Sequence, residues 1–139
     1  MAWVVDTCVV IDVGEDDPEF GERSARMLDR HIREGLVLCP LTTIELAPAF
    51  AGDRAALRTF LRHLGVRDSE PWLDEDTAAA FDGWWSYLAA RRSRRVAKRP
   101  IAHILIGGFA CRFRGLITRN PADFAPSFPR LRVVDPTQS

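Results

Sequence analysis

Apolar and polar residues fall in blocks along this chain, and the first block is Ala2-Trp3-Val4-Val5, which ends on Asp6. An unbroken apolar run of this length predicts a strand buried on both faces, here residues 2–5 with a possible extension to Val10. Asp16-Asp17-Pro18-Glu19 predicts a helix start, with Asp17 as cap, Pro18 in the first turn and Glu19 suited to the helix dipole. Ala25, Leu28 and Ile32 mark one face of that helix, and Gly35 closes it. Leu36-Val37-Leu38-Cys39, between Gly35 and Pro40, reads as a second buried strand that leads into a helix at Leu41-Thr42-Thr43-Ile44-Glu45-Leu46.

The pattern continues with a helix from Asp53, carrying Leu57, Phe60, Leu61 and Leu64 at helical spacing and stopping at Gly65. Residues 66–73 read as a connector. Asp74-Glu75-Asp76-Thr77 opens a long helix with Ala78, Phe81, Trp84, Trp85 and Leu88 predicted to face inward. It runs into a basic stretch that ends at Pro100. Residues 101–111 form a helix that is apolar on nearly every side, with His103 in its first turn and Gly107-Gly108 permitting close approach of another backbone. After Gly115, Leu116-Ile117-Thr118 predicts a strand. Leu131-Arg132-Val133-Val134 predicts a last one, placed at an edge by its arginine and the neighbouring prolines. Alternating strands and helices imply an α/β fold, a three-layer α/β/α domain with a mainly parallel sheet.

At 139 residues the chain has the length of a single domain, expected over 1–139, and its 47% apolar and 27% charged residues are those of a globular protein. No apolar run approaches the roughly 20 residues of a membrane span. Nor does the N-terminus carry the charged lead and apolar core of a secretory signal, so a cytoplasmic location is expected. Cys8, Cys39 and Cys111 show no metal-ligand spacing and read as reduced thiols, Cys8 as a small packing residue near Asp6. Formal net charge is zero, but residues 91–132 hold eleven Lys and Arg against the single acid Asp123. The remainder holds eight basic and eighteen acidic residues, an asymmetry suited to one face meeting a polyanion. The basic segment beginning at Arg91, with Arg95 and Arg99, would hold that substrate.

Chemistry enters where strands end. In a parallel sheet the carboxyl ends of the strands share one edge, where ligands bind. Asp6, Glu45 and Asp123 each stand just beyond a strand, and His103 stands at a helix start. Structural roles compete at each point: Asp6 suits a helix cap, and Thr42-x-x-Glu45 has the spacing of a capping box. Three gathered carboxylates repel one another unless a cation neutralises them, and hard oxygen donors suit Mg²⁺ or Mn²⁺. Such an ion beside a bound polyanion points to metal-assisted phosphodiester hydrolysis. A Rossmann-type nucleotide site is disfavoured, because no glycine-rich loop follows the first strand.

Four stretches, in order and spanning nearly the whole chain, carry a family resemblance: Val4-Val5-Asp6-Thr7, Thr43-Ile44-Glu45-Leu46, Pro100-Ile101-Ala102-His103-Ile104-Leu105-Ile106 and Leu116-Ile117-Thr118-Arg119-Asn120-Pro121-Ala122-Asp123-Phe124. In these the chain resembles PIN-domain proteins of the VapC type, the toxins of bacterial toxin–antitoxin pairs. The resemblance implies a divalent-metal-dependent endoribonuclease, a homodimer and a small antitoxin protein that occludes the site, with DNA contacted only through the antitoxin complex. It makes Asp6, Glu45 and Asp123 the metal-site acids, and it sets Thr7, Thr118, Arg119 and Asn120 at that site or on the RNA.

One departure stands out. The family's helix motif usually carries an Asp where this chain has His103. An imidazole is a poorer partner for Mg²⁺ than a carboxylate, though it could hold Mn²⁺ or act as an acid or base. Two functions follow: a PIN-type ribonuclease with His103 among its catalytic groups, or a module that binds RNA or a partner after catalysis has weakened.

Overall fold

The computed structural model describes residues 1–91 and 101–138. Five strands, β1 (Trp3–Val5), β2 (Leu36–Val37), β3 (Val66–Arg67), β4 (Gly115–Ile117) and β5 (Val133–Val134), form one sheet in the order β3-β2-β1-β4-β5. Every pairing is parallel, with Trp3 opposite both Leu36 and Gly115. Six α-helices accompany them: α1 (Thr7–Gly14), α2 (Gly21–His31), α3 (Pro40–Glu45), α4 (Arg54–Leu64), α5 (Asp74–Arg91) and α6 (Ile101–Ala110).

Alternation along the strands divides the core into two layers. Trp3, Val5, Leu36, Leu38 and Ile117 face one way and meet Val9 and Val10 of α1, Leu28 of α2 and Leu57 and Leu61 of α4. Val4, Val37, Cys39 and Leu116 face the other way and meet Ile106, Phe109 and Ala110 of α6. Helix α5 lies outside α6, joined to it through Ala80, Tyr87, Ile104 and Phe128. The result is the expected α/β/α arrangement. No helix among the described residues is long and apolar enough to cross a membrane.

Several elements differ from their sequence pattern. The apolar residues 8–11 continue as helix α1 rather than as strand, because Asp6 caps that helix and Val9 and Val10 bury themselves completely against the sheet. Tertiary burial here overrides the strand preference of β-branched residues. Asp17 accepts the backbone N–H groups of Glu19 and Phe20, but α2 itself begins only at Gly21. The connector after Gly65 contains β3, which is too short, and too polar at the exposed Arg67, to announce itself. Helix α4 keeps its predicted limits, between an Asp53 cap on the Ala56 N–H and a left-handed Gly65.

Helix α5 keeps part of its expected inward face, with Trp84 and Leu88 packed against the α5–α6 core, and departs from it elsewhere. Asp76, Ala80, Gly83 and Tyr87 are buried, whereas Phe81 is 75% exposed and Trp85 62%. Small residues sit inside because α6 comes too close for large ones: a Cβ on Gly108 would lie 2.8 Å from the Cβ of Ala80. The ring of Phe128 is wedged between the two helices, and a Cβ on either Gly83 or Gly107 would lie 2.4 Å from it. Gly107→Ala should therefore destabilise the protein by about 1–3 kcal/mol through overpacking, measured as a lower midpoint of urea unfolding. Phe128→Leu in the Gly107→Ala background should recover part of that loss.

Candidate functional site

The chain steps outward from β1 to β2 and β3, then returns to the other side of β1 for β4 and β5. Strand order thus reverses between β1 and β4, and the carboxyl ends of those two strands border the crevice where open α/β sheets bind ligands. Asp6 stands at that point, 4% exposed. Its backbone N–H donates to the Ile117 carbonyl at 2.9 Å, which ties it to the end of β4. Its Oδ1 accepts the Thr7 N–H at 2.8 Å, and its Oδ2 accepts the Thr118 hydroxyl at 2.7 Å. Asp6 is therefore both a helix cap and the acid at the switch point. Thr118 in turn accepts the Asn120 N–H at 3.1 Å, which positions the turn that follows β4.

Glu45 joins this group through Thr7. The Thr7 hydroxyl donates to Glu45 Oε1 at 2.6 Å and lies 3.1 Å from the hydroxyl of Thr42. The capping box suggested by Thr42 and Glu45 does not form: α3 starts at Pro40 with Cys39 as its cap, and Thr42 is buried. Their three-residue spacing instead sets both side chains on the helix face turned toward Thr7. Thr42 is thus a site residue that the sequence reading treated only as a cap.

His103 and Asp123 form a second pair. His103 Nε2 lies 3.6 Å from Asp123 Oδ2, and the imidazole meets the Phe124 ring edge-on at 5.1 Å. The described residues contain no group of three or more His, Cys, Asp and Glu side chains placed to hold one metal ion. Asp6, Glu45 and Asp123 therefore do not form a closed three-carboxylate cage in this arrangement. Each carboxylate is paired with a group of the chain itself: Asp6 with Thr118 and a backbone N–H, Glu45 with Thr7, and Asp123 with His103.

Cys8 lines the same site. Its thiol lies 3.4 Å from Asp6 Oδ2 and 3.8 Å from Thr118 Oγ1. Burial, and then the negative charge of Asp6, push it up to about 12, so it stays a neutral thiol at ordinary pH. Cys8 is a weak donor to Asp6.

Arg119, expected at the RNA, is paired within the chain. Its Nε donates to Asp12 Oδ2 at 2.7 Å and its Nη2 approaches Oδ1 at 3.3 Å, while the guanidinium lies 4.3 Å from the Phe20 ring centre. Asp12 is 2% exposed and also accepts the Ser24 hydroxyl. The pair clamps α1 to the turn that carries Thr118 and Asn120. Arg95 and Arg99 lie outside the described residues.

The chain matches no model of a known protein family, no curated protein and no solved structure.

Arg119→Leu should leave the Asp12 carboxylate buried without its cation and cost about 3–5 kcal/mol. Urea unfolding checks this, and Arg119→Lys should recover part of the loss because it restores the charge without the fork.

Proposed function

We propose that this chain is a divalent-metal-dependent endoribonuclease of the PIN type, acting as the toxin of a type II toxin–antitoxin pair. The observation that carries the reading is the hydrogen-bonded group Asp6, Thr7, Glu45 and Thr118 at the strand-order switch, with His103 and Asp123 on elements that reach the same edge.

The donor set fits Mg²⁺ or Mn²⁺ in its water-rich mode, which needs one or two carboxylates plus substrate phosphate rather than a closed protein cage. Asp6 and Glu45, linked through one hydroxyl, would hold the ion, and Asp123 would stand nearby. Such an ion supplies charge neutralisation and an activated water at a phosphodiester. The chain's own contribution is orientation. Thr118 and the Thr7 N–H fix both oxygens of Asp6, and Thr7 aims Glu45. Asn120 lies on the turn that Thr118 anchors, where it would meet the scissile phosphate.

An antitoxin partner finds support in an apolar groove of about 430 Å³ between α3 and α4, on whose rim Ile44 is 70% exposed next to Glu45. A homodimer would find apolar surface at Phe81 of α5 and Ile101 of α6. The second reading, a module that binds RNA or a partner without turnover, draws on the His103–Asp123 contact, which replaces a carboxylate with an imidazole.

Purified chain should cleave single-stranded RNA with Mg²⁺ or Mn²⁺. Asp6→Asn or Glu45→Gln should slow cleavage about 100-fold or more, given the several kcal/mol that an ion supplies in the transition state. If neither metal supports cleavage and calorimetry detects no binding of either, the enzyme reading fails.

His103→Asp should raise Mg²⁺ affinity about tenfold, since a carboxylate is the better ligand for so hard an ion. Titration calorimetry on the variant reads this directly. An unchanged affinity would remove His103 from the metal site.

A further inference from the structure

The basic residues after position 100 do not gather at the carboxyl edge of the sheet. Arg112 is bound to the buried Asp76 through Nε and Nη2, both at 3.0 Å, and Arg119 is bound to Asp12. The other three, Arg114, Arg130 and Arg132, line one cavity of about 600 Å³. Arg114 immediately precedes β4 and Arg132 immediately precedes β5. In an all-parallel sheet this is the amino edge, opposite the edge that carries Asp6 and Thr118.

The cavity is a prepared site rather than a chance gathering of surface charge. Arg114 is braced by Glu34 through Nη1 at 2.8 Å, and Glu34 also accepts the indole N–H of the buried Trp3 at 3.2 Å. Arg132 lies 5.5 Å from the ring centre of Trp3. Arg130 is exposed and makes no ion pair among the described residues. Asp82 is the one acid in the lining, so the cavity keeps a positive excess. At its wall stands Ser127, 6% exposed, whose hydroxyl makes no hydrogen bond to any described residue. No buried side-chain nitrogen or oxygen among the described residues lacks a partner, so this hydroxyl opens onto the cavity, where it can donate to a ligand oxygen.

We infer that this amino-edge cavity binds a phosphate-bearing ligand of nucleotide size. Guanidinium groups match phosphate oxygens through paired N–H donors, and Ser127 supplies a further donor. The volume exceeds that of a bare phosphate and falls within the range of small-molecule pockets, while Phe113 offers apolar surface to an organic moiety. The same chemistry is available from a free nucleotide or from a nucleotide unit of RNA. Because the cavity and the Asp6 crevice occupy opposite edges, one phosphate cannot serve both, and RNA bound here would be held away from the candidate cleavage site.

Cys111 lines the cavity and is the exposed cysteine of the three, whereas Cys8 is half-buried and Cys39 buried, so it reports on occupancy. The test is alkylation of Cys111 by N-ethylmaleimide in metal-free buffer with pyrophosphate, 5′-AMP or a short RNA lacking a terminal phosphate, alongside calorimetric titration of the same probes. Saturable binding and slower alkylation are expected for at least one of them. Arg130→Ala with Arg132→Ala should weaken the effect at least about tenfold, as expected for lost charge-assisted hydrogen bonds, without changing the melting temperature by more than a few degrees. Ser127→Ala should weaken it less. Protection by 5′-AMP and not by RNA assigns the site to a free nucleotide, and protection by RNA assigns it to the nucleic acid. Absence of binding and protection with all three probes, or binding that the double arginine variant leaves unchanged, overturns the proposal. Either result is independent of whether the carboxyl edge cleaves RNA.

Discussion

The carboxylate of Asp6 is where the fold and its candidate chemistry depend on the same hydrogen bonds. One oxygen caps α1 through the Thr7 N–H, the other receives the Thr118 hydroxyl from the end of β4, and the backbone N–H binds the Ile117 carbonyl. A carboxylate this deeply buried would be unstable without such partners, since each hydrogen bond to a charged acceptor is worth about 1.5–3 kcal/mol and an unpaired buried charge costs more. The same contacts leave the side chain in one orientation at the point where strand order reverses. Thr7 extends the arrangement to Glu45, so a hydroxyl of α1 sets the relation between the ends of β1 and α3.

Around this point, two buried ion pairs hold the loops. Arg119 and Asp12 clamp α1 to the turn after β4, and Arg112 and Asp76 clamp the start of α5 to the turn after α6. Both arginines are shifted upward from their ordinary value, first by the hydrogen bonds to these carboxylates. Each also rests on aromatic rings, Arg119 on Phe20 and Arg112 between Phe109 and Phe113. Pairing and stacking together satisfy planar cations that would be expensive to bury alone. Two of the positive charges after position 100 are thereby structural. The other three described arginines after position 100, Arg114, Arg130 and Arg132, lie on the opposite edge of the sheet, Arg114 paired there with Glu34.

Close packing of α5 on α6 imposes a further division. Glycine and alanine occupy the contact because the backbones approach within the space of a single Cβ, and Phe128 fills the slot that Gly83 and Gly107 leave. Phe81 and Trp85 of α5 are displaced to the outside, while Trp84 and Leu88 pack at the margin of the contact. Size and not hydrophobicity alone therefore decided which face turned inward.

Apolar runs at residues 2–5, 36–39 and 116–118, the Asp53 and Gly65 boundaries of α4, and the alternation of strands with helices were legible in the sequence because they rest on burial and local capping. The position of Asp6 at a strand end was legible for the same reason, and so was the edge placement of β5. What the sequence could not reveal depended on neighbours distant in the chain. Residues 8–11 have a strand former's composition and became helix only because Asp6 caps them and the sheet buries them. Strand β3 exists because β2 offers it a partner. Thr42 and Glu45 satisfy the spacing of a cap, and only the presence of Thr7 across the sheet edge turns them toward the site. Arg119 has the same charge as the exposed arginines, and Asp12, more than a hundred residues earlier, decides that it is a clamp. Sequence determined which groups would stand at the ends of strands, because that depends on local hydrophobic pattern. Tertiary structure decided which of them meet, because a hydrogen bond needs both partners within about 3 Å, and that is a property of packing.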